Sequence, residues 1–243
     1  MNKSEWYVDW FNSPYYHLLY NHRNDAEAKF FIDNLCRFLS LHSNEKVWDL
    51  ACGKGRHALV LNQNHLDVSG TDLSENNIAE ALKSSKADLH FYVHDMRTAF
   101  KENYFSAVFN LFTSIGYFEN FEDNFTVFKN VHASLKEGGY FVIDFFNAQK
   151  VVEGMQDAYI EERGEMRFHI RKKIENNSIV KRIEFNDAGK QMHFEESVSL
   201  LRKTDFEKFA AQSDFTLLQV FGNYNLEAFD EKNSDRLILI FKK

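Results

Sequence analysis

The chain has 243 residues, with 29 Lys and Arg against 36 Asp and Glu, so its formal net charge is -7. This length fits one domain with an elaboration or two small domains, and the acidic charge disfavours a general nucleic-acid binder, which is more often basic. The two cysteines show no metal-ligand spacing and no apolar run reaches 18 residues, so we expect no metal site and a soluble, cytoplasmic protein with no membrane partner.

The amino-terminal segment, residues 1–24, is rich in aromatic side chains and precedes the first long helix. That helix is predicted from Asn24 or Asp25 to about Leu41, because apolar side chains recur at helical spacing. The buried strand KVWDLA follows, and a loop with two glycines then leads into a helix from His57 to Gln63.

Strands and helices continue to alternate beyond this loop. LDVSGTD, LHFYVHD, FSAVFNLF and YFVIDFFN are predicted as strands. Ser74 is expected to cap one intervening helix, and another runs from about Glu122 to Leu135 before a turn at Gly138-Gly139. The alternation predicts an α/β fold with a doubly wound, mostly parallel sheet that helices cover on both faces.

The pattern changes after YFVIDFFN. The runs MRFHIRKKI, SIVKRIEF and KQMHFEESVSLL are long and partly alternating, and the turn-forming stretches ENNS and NDAGK separate them. They predict a small antiparallel sheet over about residues 158–202. A helix capped by Thr204 follows, and then two more strands, FTLLQVF and RLILIFKK.

Polar side chains stand where four successive predicted strands end. KVWDLA places Asp49 just before the loop CGKG, and the next three strands end at Asp72, Asp95 and Asn110. Ligands of doubly wound sheets bind outside the carboxyl ends of the strands. We therefore expect these separate pieces of chain to converge on one crevice.

Each of these features has a physical role in such a crevice. Glycines let the backbone approach a ligand closely. Asp72 follows the loop by about 20 residues, a spacing at which an acid accepts hydrogen bonds from ribose hydroxyls. Asp95 would accept from an adenine amino group, and the region of Asn110 would approach the far end of the ligand.

The motifs, taken in order, resemble those of class I S-adenosylmethionine-dependent methyltransferases. VWDLACGKG is similar to the first motif, with Ala51 in place of its first glycine, and GTDLS and HDM are similar to the second and third. FSAVFNLFTSIGYF and LKEGGYFVIDF resemble the fourth and fifth, although Glu137 stands where proline is usual. FTLLQVF and RLILIFKK resemble the sixth and seventh strands, the seventh being antiparallel in this family, so the resemblance covers about residues 30–147 and 204–243.

The resemblance implies a seven-stranded, Rossmann-like sheet and S-adenosylmethionine as cofactor. It assigns residues 25–150 and 203–243 to the cofactor domain, residues 1–24 to a lid, and residues 151–202 to an antiparallel insertion that covers the acceptor site. The implied cofactor-binding residues are Asp49, Ala51, Cys52, Gly53, Gly55, Asp72, Leu73, Asp95, Met96, Asn110 and Phe112.

The implied reaction is an in-line methyl transfer to a nitrogen or oxygen atom of a small molecule. Tyr16, His17 and His169 are candidate catalytic residues, and aromatic faces near the positive sulfonium would be favourable. Candidates for those faces are Tyr15, Tyr16, Phe112 and Tyr117, while Lys54, Arg56 and His57 would lie near the cofactor carboxylate or face solvent.

Nucleic-acid acceptors are disfavoured. The Asp/Asn-Pro-Pro-Tyr motif of DNA amino methylation cannot occur in a chain whose only proline is Pro14, and no Pro-Cys nucleophile for cytosine C5 is present. Two other functions stay open at this point. GKGRHA and Asp72 also fit an NAD-dependent oxidoreductase, and a methyltransferase-like fold can serve as a non-catalytic, cofactor-binding regulatory module.

Overall fold

The computed structural model describes residues 6–20 and 25–243. In chain order the strands of these residues are β1 (Lys46–Leu50), β2 (Asp67–Asp72), β3 (Leu89–Val93), β4 (Phe105–Asn110), β5 (Leu135–Phe146), β6 (Ala158–Arg163), β7 (Met166–Glu175), β8 (Ser178–Asp187), β9 (Lys190–Ser199), β10 (Thr216–Phe221) and β11 (Arg236–Lys242). The helices are α1 (Trp6–Phe11), α2 (Pro14–Leu19), α3 (Asp25–Phe38), α4 (Arg56–Gln63), α5 (Glu75–Ala81), α6 (Phe121–Ser134), α7 (Ala148–Glu153) and α8 (Lys203–Ala211).

Seven strands form the first sheet, in the order β10-β11-β5-β4-β1-β2-β3. Strands β1 to β5 run parallel to their neighbours among themselves, and β11 is antiparallel to both β5 and β10. The predicted doubly wound, mostly parallel sheet is therefore confirmed, and the chain reverses strand order between β1 and β4, where such sheets bind ligands.

Helices cover the first sheet on both faces. One buried cluster joins α3, α4 and α5 to the sheet, and a second joins α6 and α8 to the opposite face. The central strands are buried on both sides, which explains why β1 and β4 read as nearly continuous apolar runs.

The second sheet is antiparallel, in the order β6-β7-β8-β9. One of its faces packs against α1 and α2, and the buried residues of this small core are Trp10, Leu19, Phe168, Ile170, Ile183 and Phe185. We call residues 6–20, which contain α1 and α2, the strap. Residues 1–5 and 21–24 of the predicted lid lie outside the described residues.

Three local predictions are wrong. No turn separates α6 from β5, because the strand already begins at Leu135, and a shift of its pairing with β4 accommodates Gly138 at a φ of 76°. Thr204 does not cap α8, which begins one residue earlier, and the Arg202 N–H donates to the Asp205 carboxylate at 2.9 Å. The helix α3 ends at Phe38 rather than near residue 41.

The predicted cap of α5 is confirmed, since the Asn77 N–H donates to the Ser74 Oγ at 3.1 Å. Four short elements, α1, α2, α7 and β6, were not predicted individually. Across residues 6–20 and 25–243, no helix has both the length and the apolar character that crossing a membrane would require.

Candidate active site

A cavity of about 490 Å³ lies at the carboxyl ends of the central strands of the first sheet. Its walls include most of the residues that the sequence singled out: Tyr16, His17, Ala51, Cys52, Gly53, Asp72, Leu73, Asp95, Met96 and Phe112. Four predicted site residues, namely Asp49, Gly55, Asn110 and His169, are not among the residues that line it.

The glycine loop joins β1 to α4 by a sharp turn. Ala51, Gly53 and Gly55 all have positive φ, at 62°, 57° and 85°. A Cβ on Gly55 would lie 2.8 Å from the Phe91 ring, so this position requires glycine for its conformation and for its space. The Cys52 N–H donates to the Thr71 carbonyl at 2.8 Å and ties the loop to β2.

Asp72 anchors this loop from the end of β2. Its carboxylate accepts from the Gly53 N–H at 2.8 Å and from the Ser74 N–H at 2.9 Å. Burial raises the pKa of Asp72, and these two backbone N–H groups act in the opposite direction. Since an ionised carboxylate has about four acceptor positions, capacity remains for a ligand in the cavity.

Asp49 lies beneath the loop and is 1% exposed. Within the described residues, neither of its carboxylate oxygens has a hydrogen-bond partner. Burial raises the pKa of Asp49 to about 7, against the effect of the Ala58 backbone amide in the first turn of α4, while Asp72 raises it further and Arg56 lowers it. Asp49 therefore borders the loop from below instead of lining the cavity.

Asp95 lines the cavity but is engaged by a neighbour that the sequence analysis did not consider. Arg97 donates to it through Nε at 3.1 Å to each oxygen, through Nη2 at 2.6 Å and through its backbone N–H at 2.9 Å. Burial raises the pKa of Asp95, but the Arg97 bonds prevail and the pKa is lowered. The acceptor positions expected to meet adenine are thus occupied by Arg97.

Asn110 shapes the loop that follows β4. It is fully buried, its Nδ2 donates to the Leu50 carbonyl at 3.0 Å, and its Oδ1 accepts from the Ile115 N–H at 3.4 Å. The loop itself is strained, because Phe112 and Thr113 have φ values of 66° and 62°. Each such residue costs on the order of 1–3 kcal/mol, so the surrounding structure must hold the loop.

That support comes from Asp144 in β5, which the sequence analysis missed. Its Oδ2 accepts from the Phe112 N–H and from the Tyr224 hydroxyl, both at 3.1 Å, and its backbone carbonyl accepts from the Thr113 N–H at 3.0 Å. Its Oδ1 accepts from the Arg236 Nε at 2.7 Å. An acid inside the apolar run FVIDFF was the available signal, since a buried charge is expected to have a partner.

The strap forms the opposite wall of the cavity through Tyr7, Phe11, Tyr16, His17 and Tyr20. The Phe11 ring contacts the Tyr16 ring at 4.8 Å between centroids, and it contacts Tyr117, from the loop after β4, at 5.4 Å. Aromatic rings from three parts of the chain therefore meet at this wall.

Tyr15 points away from the cavity, because its hydroxyl donates to Asp187 at 2.5 Å and its ring packs on Phe185. His169 lies exposed on β7, opposite Glu184 of β8. Within the described residues, no side chain of the second sheet lines the cavity, since the strap lies between them. If residues 151–202 cover the acceptor site, as the sequence predicts, they do so through the strap, on which the second sheet packs.

Three basic side chains, Lys54, Arg56 and His57, line the cavity near the glycine loop. The Arg56 Nη2 lies 3.1 Å from the His57 Nε2. Two guanidinium groups lie over the Phe112 ring, with Arg56 at 5.8 Å and Arg236 at 5.6 Å from its centroid. Both cations favour the face of this ring, and Arg56 adds positive charge at this end of the cavity.

Comparisons with known proteins agree with this geometry. A family model described as "Methyltransferase domain" matches residues 41–195. The putative methyltransferase YqeM of Bacillus subtilis is 32% identical over 130 residues, or 52% of either chain. The glycine/sarcosine N-methyltransferase of Parasynechococcus marenigrum is 30% identical over 159 residues, or 61% of this chain and 53% of that protein. The chain thus spans about half the length of these two relatives.

Among solved structures, a S-adenosylmethionine-dependent methyltransferase from Clostridium acetobutylicum superimposes with a TM-score of 0.79. The match covers 94% of this chain and 95% of that chain at 21% identity. It therefore shows that the fold is shared across nearly the whole length of both chains.

Proposed function

Because the chain belongs to the family of S-adenosylmethionine-dependent methyltransferases, we propose that it transfers a methyl group to a nitrogen or oxygen atom of a small molecule. The observation that carries this proposal is the convergence of the glycine loop, Asp72 and the strained loop after β4 on one cavity that the strap walls.

S-adenosylmethionine is the cofactor of this family, and the residues around the cavity fit it. Asp72 has acceptor positions left for ribose hydroxyls, and Gly53 has open space where a Cβ would stand. The basic group of Lys54, Arg56 and His57 suits the cofactor carboxylate. Since Arg97 occupies the Asp95 carboxylate, we expect the backbone of residues 95–96 to contact the adenine instead.

When bound, S-adenosylmethionine supplies a methyl group that is already activated on a positive sulfonium. The protein then has to exclude water and to orient the donor and the acceptor for an in-line displacement. The aromatic wall of Phe11, Tyr16 and Tyr117 favours positive charge in the cavity.

The need for a base depends on the acceptor atom. A neutral amine can attack without prior loss of a proton, whereas a hydroxyl needs a base in the cavity. Of the three candidate catalytic residues, Tyr16 and His17 line the cavity, and His169 lies exposed elsewhere. The name of the Parasynechococcus relative, an N-methyltransferase of glycine and sarcosine, supports nitrogen as the first acceptor to test.

The first experiment is a calorimetric titration with S-adenosylhomocysteine, with NADH titrated in parallel. We expect binding of the first compound only, and binding of NADH alone would overturn the proposal in favour of an oxidoreductase. Methyl transfer from a labelled donor is then measured with glycine, sarcosine and small amines, each paired with its hydroxyl counterpart. Cofactor binding without transfer to any acceptor class would favour a regulatory module.

A further inference from the structure

Glu196 lies outside the cavity yet contacts two side chains of the strap. One of its carboxylate oxygens accepts from the Trp10 Nε1 at 2.6 Å, and the Tyr20 hydroxyl lies 2.8 and 2.9 Å from the two oxygens. Trp10 belongs to α1, whereas Tyr20 directly follows α2. A single carboxylate on β9 therefore fixes both helices of the strap.

The carboxylate is itself held by Lys181, its cross-strand neighbour on β8. The Lys181 Nζ lies 3.5 Å from Glu196, and the two side chains are only 10% and 14% exposed. Lys181 also donates to the Tyr20 hydroxyl, and its Nζ lies 4.7 Å from the centre of the Tyr20 ring. The ion pair is thus buried at the interface between the strap and the second sheet.

The residues fixed in this way connect directly to the cavity. Tyr20 lines it, and so does Tyr16, whose ring contacts Trp10 at 5.7 Å and Tyr20 at 5.0 Å. The Trp10 ring also packs on Phe194, two residues before Glu196 on the same face of β9, at 4.6 Å. The position of this wall therefore depends on contacts with a sheet that does not line the cavity.

We infer that Glu196 is a positioning residue of the active site, which acts on the strap wall of the cavity through Trp10 and Tyr20. Its link to methyl transfer rests on the proposed function, whereas its hold on the strap does not. The second sheet thereby has a specific role: through Glu196 it holds the strap residues that line the cavity.

The neighbouring Glu195 provides a matched control. It points to the other face of β9, where its carboxylate accepts from the Arg182 Nε at 3.0 Å, and the two side chains are nearly half exposed. The two glutamates share strand, charge and side chain and differ in the face on which they lie. A difference between their variants therefore reports the strap contact and not the charge of the sheet.

The main variant is the double substitution Lys181→Met and Glu196→Met, which removes the acceptor without leaving Lys181 buried and unpaired. We expect faster amide hydrogen exchange over residues 6–20 of the ligand-free protein, with unchanged exchange in β7 and β8. We also expect dissociation of S-adenosylhomocysteine to accelerate at least about tenfold, since two hydrogen bonds to a charged group are lost. The matched double substitution Arg182→Met and Glu195→Met should change neither quantity.

Two further variants separate positioning from simple loss of stability. Glu196→Gln in the Lys181→Met background keeps one carbonyl oxygen for Trp10 and Tyr20, so it should restore most of the strap protection that the double methionine variant loses. Tyr20→Phe keeps the ring and the ion pair but removes the hydroxyl, so it should show a partial effect even if the double variant folds poorly.

The inference is overturned if the Lys181/Glu196 double variant and Tyr20→Phe both keep the exchange of residues 6–20 at the wild-type level, or if the Arg182/Glu195 double variant alters that exchange equally. Failure of the wild-type protein to bind S-adenosylhomocysteine would count against the proposed function alone. The exchange measurement uses the ligand-free protein, so it decides whether Glu196 holds the strap in either case, and unchanged dissociation of S-adenosylhomocysteine in the double variant would overturn its role in positioning the site.

Discussion

Buried aspartates lie on both sides of the cavity, but they differ in their partners. On the β4–β5 side, Asp144 forms an ion pair with Arg236 and accepts from Tyr224 and from the backbone of Phe112. On the β1–β2 side, Asp49 and Asp72 have no ion pair within the described residues, and burial raises the pKa of both. The same residue type thus has a cationic partner on one side and, within the described residues, none on the other.

This difference separates an acid that supports the structure from acids that are suited to binding. A carboxylate with a full set of partners stabilises the loop that it holds and has little left for a ligand. A carboxylate whose pKa is raised by burial stores unfavourable free energy that a bound ligand can relieve, and such groups cluster at functional sites. The β1–β2 side is therefore the side on which binding should depend on the acids.

The largest effect is expected from Asp144→Asn. The substitution leaves Arg236 buried without its counter-charge, which should lower the free energy of unfolding by about 3–5 kcal/mol. Denaturant unfolding measures this loss. The control is Asp235→Asn, because the Asp235 pair with Lys150 is exposed and should contribute no more than about 1 kcal/mol. Equal losses in the two variants would show that the buried Asp144–Arg236 pair stabilises the fold no more than an exposed pair does.

Asp49 should give stability a pH dependence that Asp49→Asn lacks. Its pKa rises from 3.8 to about 7 on folding, so between these values only the unfolded chain loses the proton. Its contribution to stability is therefore complete below about pH 4 and is lost as pH rises towards 7, by on the order of 4 kcal/mol. Denaturant unfolding from pH 4.5 to 8 should show the free energy of unfolding of Asp49→Asn rising relative to that of the wild type. The same pH dependence in both proteins would contradict the raised pKa of Asp49.

Asp72→Asn should separate binding from stability. We expect affinity for S-adenosylhomocysteine to fall by about 1–3 kcal/mol, because charge-assisted hydrogen bonds to the ligand are lost. The free energy of unfolding should change little, since relief of the buried charge offsets the loss of one of the two backbone hydrogen bonds, which an amide nitrogen cannot accept. Titration calorimetry and unfolding measure the two quantities, with Asp67→Asn at the other end of β2 as control. Unchanged affinity in Asp72→Asn would remove Asp72 from the site.

The smallest effect concerns the backbone of the glycine loop. Ala51 adopts a φ of 62°, which costs a residue with a Cβ about 1–2 kcal/mol. Ala51→Gly relieves this strain but gives the unfolded chain more freedom, so a net gain below about 1 kcal/mol is expected from unfolding curves. Gly55→Ala should change stability in the opposite direction, because its new Cβ would meet the Phe91 ring.

Much of the fold could be predicted because local patterns determine it. The period-two and continuous apolar runs located the strands, and Asp49 and Asp72 stood out as acids at the ends of apolar strands. By contrast, the Asp144–Arg236 pair depends on the antiparallel register of β5 and β11, in which Arg236 stands opposite Phe146 and Asp144 opposite Ile238. The two charges therefore meet diagonally across strands that are distant in sequence.

The partner of Asp95 and the packing of the second sheet could not be predicted from the motifs. A motif places Asp95 at a strand end, but the choice of Arg97 as its partner is a matter of side-chain geometry. Likewise, the sequence predicts an added sheet without showing that α1 and α2 pack between it and the cavity. Strand alternation alone places Glu195 and Glu196 on opposite faces, but only the structure shows that the Glu196 face meets the strap.

Cys52 in the glycine loop has a practical consequence for measuring how often the loop opens. Its thiol is buried, with Sγ 3.0 Å from where a Cβ on Gly70 would stand, and burial raises its pKa well above the ordinary value. Because alkylating reagents attack the thiolate, labelling of the closed loop should be very slow. The rate at which Cys52 is alkylated then reports how often the loop opens. A ligand bound against that loop should lower this rate.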